Sequence, residues 1–252
     1  MNHVTNLAEL GIAHIESAVP AHLCDQINDD FLAFCRSNAE ESDKFTLKTG
    51  RRSRLTNLHV GSEAARLAFC GVAEKLDELL GQKVAIYSSL YFEQSSEQPL
   101  HRDSPFFCTE PYGRYLGVWI ALEDVSPMAG PLQYVAGGHM LDVGRDHSSV
   151  DAYQDAVSAA CNGMERATIT PRKGDVVVWH PELPHGGTPI QEPGKTRKSI
   201  VFHVCPEHAP VFGDDVFLQR RLPSKVREEK YVEIECGRMM FSVGYAAFAR
   251  NN

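Results

Sequence analysis

The sequence predicts a mainly β fold with flanking helices, a double-stranded β-helix of the jelly-roll, cupin-like type. Three observations carry that expectation: helical patterns dominate before residue 81, short β-rich runs bounded by Gly and Pro follow, and no linker separates the two regions. With 252 residues, 43% of them hydrophobic and 23% charged, the chain is expected to form one domain over 1–252.

The elements are read in chain order. Gly11 to Ser17 reads as a short strand, and Pro20 opens a helix carrying Leu23, Ile27, Phe31, Leu32 and Phe34 near helical spacing. Ala65, Leu67, Ala68, Val72 and Leu79 form the apolar stripe of a second helix from about Glu63 to Leu80, stopped by Gly81. Strands are expected over Lys83 to Phe92, Tyr115 to Leu122, Leu132 to Val135, Ala167 to Thr170, Asp175 to Trp179 and Ser199 to Val204. A third helix fits Val150 to Ala160, inside an insertion. The Pro/Gly-rich stretch 181–194 lies among the strands, and no repeat or low-complexity tract is present.

Composition narrows the function classes. A net charge of -8 argues against a nucleic-acid partner, which relies on basic surface to neutralise phosphates. No apolar run approaches the roughly 18 residues of a membrane span, and no basic region precedes an apolar stretch at the N-terminus, so no membrane partner and a cytoplasmic location are expected. Cys24, Cys35, Cys70, Cys108, Cys161, Cys205 and Cys236 form no C-x-x-C pair and are read as reduced, mostly buried thiols.

The most informative residues are His101, Asp103 and His185. Two imidazoles and a carboxylate match the facial triad that holds non-haem Fe(II) while leaving coordination positions open. On a strand, positions 101 and 103 would point to one face and Arg102 away from it. An H-x-D tripeptide alone is weak, but a second segment follows, from Gly174 through Trp179-His180-Pro181 to His185-Gly186-Gly187, and then Arg197-Lys198-Ser199 on the next apolar run.

Five ordered segments extend the pattern: Pro99-Leu-His-Arg-Asp103, Trp119-Ile-Ala-Leu-Glu123, Ala129 to His139, Gly174 to Gly186, and Arg197 to His203. Over roughly residues 85 to 205 the chain resembles the phytanoyl-CoA dioxygenase family of Fe(II)/2-oxoglutarate oxygenases. It departs at Ala129 and Ala136, where that family has Asn and Pro; neither is a ligand position. The resemblance implies an enzyme that uses Fe(II), 2-oxoglutarate and O2 to hydroxylate a small-molecule metabolite, releasing succinate and CO2. It makes His101, Asp103 and His185 the metal-binding and catalytic set. Asp103 favours hydroxylation, since halogenating relatives have Gly or Ala there.

Arg197 is the candidate for the distal carboxylate of 2-oxoglutarate, because a planar guanidinium grips a carboxylate through two parallel bonds. Ser199, on the same strand face, could add a third donor, and Trp119 stands where the family places a cosubstrate-side tryptophan; a Trp between Val118 and Ile120 is equally at home in a core. His180 is a rival to His185, disfavoured by family position. His139 and His147 are pocket residues or solvated loop residues. Lys48-Thr-Gly-Arg-Arg-Ser-Arg54 is either a solvated loop or a gate for an anionic substrate, whereas Glu93 and Glu97 could meet a cationic one; the sign of the substrate stays open. The chain ends Ala-Arg-Asn-Asn, without a peroxisomal signal, so phytanoyl-CoA itself is not the expected substrate. Two rivals stand beside the oxygenase: a cupin-like isomerase or hydrolase using another metal, which has no need of the Arg197 clamp, and a non-catalytic binding barrel, for which the triad would be superfluous.

Overall fold

The computed structural model describes residues 3–44, 54–219, 221, 230–241 and 246–248. Helix α1 (His3–Leu10) and strand β1 (Ile12–Ile15) precede helices α2 (Ala21–Ser37) and α3 (Ala39–Lys44). Strand β2 (Leu55–Thr56) and helix α4 (Glu63–Leu80) lead into β3 (Val84–Phe92), β4 (Cys108–Thr109), β5 (Leu116–Ala121) and β6 (Leu132–Tyr134). Helix α5 (Val150–Ala160) separates these from β7 (Ala167–Ile169), β8 (Val176–Trp179), β9 (His185–Gly187), β10 (Ser199–Pro206) and β11 (Val211–Phe212). Helix α6 (Asp214–Gln219) and strands β12 (Tyr231–Glu233), β13 (Met239–Phe241) and β14 (Ala247–Phe248) follow.

The helices start and stop where local chemistry dictates. Ser62 caps α4 by accepting the Ala65 N–H at 3.1 Å, and Gly81 ends it with φ +72°. Ser149 caps α5 in the same way through Ala152. Pro20 stands just before α2, where its missing N–H costs no helical bond.

The main sheet runs β1-β8-β5-β10-β3, all antiparallel, and β2 and β13 both pair with β3. Opposite it lies the small sheet β7-β6-β9, extended past β9 by a bridge from His185 to His101. Strand alternation then builds two cores. Val118, Ile120, Val176, Val178, Ile200 and Phe202 turn toward the helices, where Phe31, Phe69 and Leu76 meet them. Trp119, Val177, Trp179, Val201 and Phe92 turn the other way, toward Leu132 of the small sheet. Because both faces of β5, β8 and β10 are buried, their sequences read as nearly unbroken apolar runs. The two facing sheets with helices on one outer face are the expected double-stranded β-helix.

Two expectations are corrected. Cys70 and Cys236 form a disulfide, while Cys24, Cys35, Cys108, Cys161 and Cys205 are buried free thiols as expected. Two ion pairs join the same β12–β13 hairpin to α4: Arg66 bonds Glu235 and Arg238 bonds Asp77. A separation of 166 residues leaves no local trace of that contact. The H-x-D segment is also not a continuous strand, since only His101 is bridged and Asp103 lies in the bend that follows. Helices α1, α3 and α6 and strands β2, β4, β11 and β12 to β14 were not expected. No helix among the described residues is long and apolar enough to cross a membrane.

Candidate active site

His101, Asp103 and His185 converge: one ligand atom from each lies within 4.8 Å of the others. His101 Nε2 is 3.6 Å from Asp103 Oδ1 and His185 Nε2 is 3.5 Å from Asp103 Oδ2. The His101–His185 bridge brings the two imidazoles together, with ring centres 4.6 Å apart. Gly186 permits this approach, since a Cβ there would come within 2.6 Å of the Gln98 carbonyl and 2.8 Å of the Pro99 carbonyl.

Both imidazoles are oriented alike. His101 Nδ1 lies 2.8 Å from the Pro99 carbonyl and His185 Nδ1 2.9 Å from the Leu183 carbonyl. A carbonyl only accepts, so each Nδ1 carries the proton and each Nε2 lone pair is left for a metal. Burial pushes His185 down to about 4, keeping the ring neutral as a ligand must be. Burial alone would raise the Asp103 carboxyl, but His185, His101, His203 and the Trp179 N–H together hold it well below the usual carboxylate range.

Trp179 Nε1 donates to Asp103 Oδ2 at 3.0 Å. The indole reaches Asp103 because the register sets Trp179 beside Gly117, where a Cβ would sit 2.1 Å from the ring. Arg102 points away from the triad, as expected, but into a buried polar cluster and not into solvent. Its Nη1 donates to Glu182 at 2.9 Å and its Nη2 to the carbonyls of Gly138 and Leu141. Glu182 also accepts from Ser104, Tyr112 and Tyr153. Gln154 of α5 grips the backbone of Arg102 from both sides, accepting its N–H at 2.9 Å and donating to its carbonyl at 2.8 Å. The backbone between His101 and Asp103 is thereby fixed without strand pairing.

Arg197 and Ser199 open into the interior between the sheets. Arg197 is buried, donates Nη1 to the Gly130 carbonyl at 3.0 Å, and sits 5.2 Å from the centre of the Trp119 ring. It pairs with no carboxylate among the described residues, its Nε is buried without a partner, and burial lowers its pKa to about 10. Ser199 Oγ is likewise buried and unpartnered. Orphaned donors of this kind are costly unless an anion completes them. Trp119 is both core and neighbour of Arg197. Leu90, Phe92, Leu132 and Val201 complete the walls of the cavity that contains the triad and Arg197.

His180 accepts the Glu182 N–H at its own turn and stays out of the triad, as expected. His139 bonds the Ala8 carbonyl and His147 the Val143 carbonyl; neither lines the triad cavity. Glu97 accepts the Ile190 N–H at 2.9 Å and Glu93 is buried; neither lines the triad cavity. Of the basic segment Lys48 to Arg54, all but Arg54 lies outside the described residues. Gly117, Trp179, Arg102, Glu182 and Gln154 were not singled out; for Trp179 a signal existed, since it lies two positions after Val177 on the interior face.

The profile of the family described as phytanoyl-CoA dioxygenase (PhyH) matches residues 7–199. Phytanoyl-CoA dioxygenase domain-containing protein 1 of Bos taurus is 30% identical over 149 residues, which are 56% of this chain and 51% of that protein. Phytanoyl-CoA dioxygenase 1 of Oryza sativa subsp. japonica is 27% identical over 158 residues, 60% of this chain and 56% of that protein. The matched region thus spans about half the length of these relatives. Among solved structures, the non-haem α-ketoglutarate-dependent epimerase SnoN from nogalamycin biosynthesis, in complex with Fe3+, α-ketoglutarate and nogalamycin RO, is similar with a TM-score of 0.66 and 19% identity, over 95% of this chain and 96% of SnoN. EctD from S. alaskensis with bound Fe gives 0.65 and 17%, over 90% and 85%. These structures share the fold described above, and the profile match over most of the chain shows that it belongs to the phytanoyl-CoA dioxygenase family.

Proposed function

We propose that the chain is an Fe(II)- and 2-oxoglutarate-dependent oxygenase that hydroxylates a small-molecule metabolite. One observation carries the reading: a triad with both Nε2 lone pairs free opens into the same cavity as a buried guanidinium that has no carboxylate partner among the described residues. A metal with three protein ligands keeps open positions, and Arg197 with Ser199 fits the far carboxylate of a bidentate keto acid. Bound Fe(II) with 2-oxoglutarate and O2 supplies the oxidative decarboxylation to succinate and CO2 and the oxidising power to hydroxylate a C–H bond.

The residues of the chain supply placement. His101, Asp103 and His185 hold the metal, and Trp179 aims the Asp103 carboxylate. Arg197, steadied by Gly130 and the Trp119 ring, holds the cosubstrate end. Leu90, Phe92, Leu132 and Val201 give the reacting centre an apolar wall. A carboxylate at Asp103 fills the position that halogenation would leave to chloride, which favours hydroxylation. An isomerase or hydrolase using another metal gives no use to an unpaired, buried Arg197.

The test is aerobic turnover of 2-oxoglutarate with Fe(II) by purified protein, following succinate. Wild type is expected to form succinate, whereas His185→Ala and Asp103→Ala, each leaving two protein ligands, are expected to form none while remaining folded. Succinate formation near the wild-type level in either variant would sink the triad assignment.

A further inference from the structure

A second set of donors lies at the other end of the strand face that carries Arg197. Along β10 the interior-facing positions run Ser199, Val201, His203, and Arg197 lies just before them, so Arg197 and His203 are roughly 20 Å apart along the strand. A short diacid held by Arg197 and a metal at the triad does not extend that far beyond it. His203 is buried, fixed through Nδ1 to Ser88 at 3.0 Å and stacked on Phe107 with ring centres 4.0 Å apart. Its Nε2 has no hydrogen-bond partner among the described residues, and the ring lines the triad cavity.

Arg54 reaches the same end. Leu55 pairs with Tyr91 and Thr56 with Leu90, and Leu55 and Tyr91 both turn into the helix-side core. Alternation therefore turns residue 54 to the face of Leu90 and Phe92, which line the triad cavity. Arg54 is half-buried, its Nε is buried without a partner, and it forms no ion pair among the described residues. Its charge is felt at Asp103 and His203.

We propose that Arg54 and His203 form the anchor for an oxyanion of the prime substrate, specifically a monocarboxylate. The proposal rests on the oxygenase reading for its location and names the substrate class for that same site. One guanidinium beside one neutral imidazole matches a single negative charge spread over two oxygens better than a dianionic phosphate ester. Among the described residues, neither Glu93 nor Glu97 lines the cavity, and Asp103 belongs to the triad.

Benzoate serves as the monocarboxylate probe, titrated by NMR into the metal-free protein and into Arg54→Gln and Arg197→Gln. Arg54→Gln is expected to weaken benzoate binding at least ten-fold, and Arg197→Gln less than three-fold. In the same variants, 2-oxoglutarate titrated into anaerobic Fe(II) protein is expected to show the reverse order. Benzoate binding that is absent in wild type, or equal in wild type and Arg54→Gln, overturns the anchor. A larger loss of 2-oxoglutarate than of benzoate on Arg54→Gln overturns it too, by assigning Arg54 to the cosubstrate. Tighter Arg54-dependent binding of inorganic phosphate than of benzoate overturns the carboxylate assignment. Failure of wild type to bind 2-oxoglutarate counts against the oxygenase reading instead, because the benzoate measurement needs no metal.

Discussion

The indole N–H of Trp179 lies 3.0 Å from Oδ2 of Asp103, reached across the bare backbone of Gly117. The carboxylate thus has one oxygen fixed by the protein before any metal arrives. Three residues far apart in sequence make this one relationship, and only Asp103 among them belongs to the triad.

Trp179→Phe keeps the packing and removes the donor. It is expected to weaken metal binding by about 10 to 100-fold, the range found for partners that orient metal ligands. Competition titration with Co(II) checks this, and unchanged affinity would show that the bond does not orient Asp103. Gly117→Ala is expected to cost about 1 to 3 kcal/mol of stability through overpacking against the indole, measured by urea unfolding.

The Arg102–Glu182 pair is buried, with side chains 3% and 13% exposed. Arg102→Met leaves Glu182 charged among hydroxyls, and a loss of about 3 to 5 kcal/mol is expected. Glu182→Gln should be similarly costly, and the double variant should lose less than the sum of the two. Additive losses in urea unfolding would mean that the two side chains act independently.

Acid should destabilise the fold through its buried neutral imidazoles. Burial holds His59 at about 3, and burial with His139 nearby holds His180 at about 4. Both imidazoles titrate near 6.5 when unfolded. Between those values the unfolded chain binds protons that the folded chain refuses, so stability falls as pH drops from about 6.5 toward 4 and is fully present above that window. His59→Gln is expected to flatten the slope; a wild-type unfolding free energy that is level across this range would contradict the buried neutral state.

Arg197→Ala should weaken 2-oxoglutarate by about 2 to 5 kcal/mol, since a buried carboxylate loses its bidentate partner. Arg197→Lys should restore only part of this, because an ammonium cannot offer two parallel donors. Equal 2-oxoglutarate affinity in wild type and both variants would move the clamp elsewhere.

Much of this was legible in the sequence because it is periodic or capped. Helices α4 and α5 begin at serine caps, α4 ends at a glycine, and the β5, β8 and β10 runs betray strands buried on both faces. The convergence of His101, Asp103 and His185 followed from ligand type and motif order, although the strand geometry assumed for the first two was replaced by a bridge and a bend. What stayed hidden depends on contacts between distant segments. Gln154 clamps Arg102 from a helix that reads only as an insertion, Glu182 gathers four donors from three segments, and Cys70 meets Cys236 across 166 residues. None of these leaves a periodic trace, because each needs the fold already in place.

The central claim is that one cavity binds Fe(II) at the triad and 2-oxoglutarate between that metal and Arg197. Anaerobic titration of the Fe(II)-loaded protein with 2-oxoglutarate tests it most directly, through the visible metal-to-ligand charge-transfer band of a chelated keto acid. The account predicts a band that saturates at one equivalent in wild type, needs far more 2-oxoglutarate in Arg197→Ala, and is absent in His185→Ala. No band in iron-loaded wild type, or an undiminished band in His185→Ala, would contradict it.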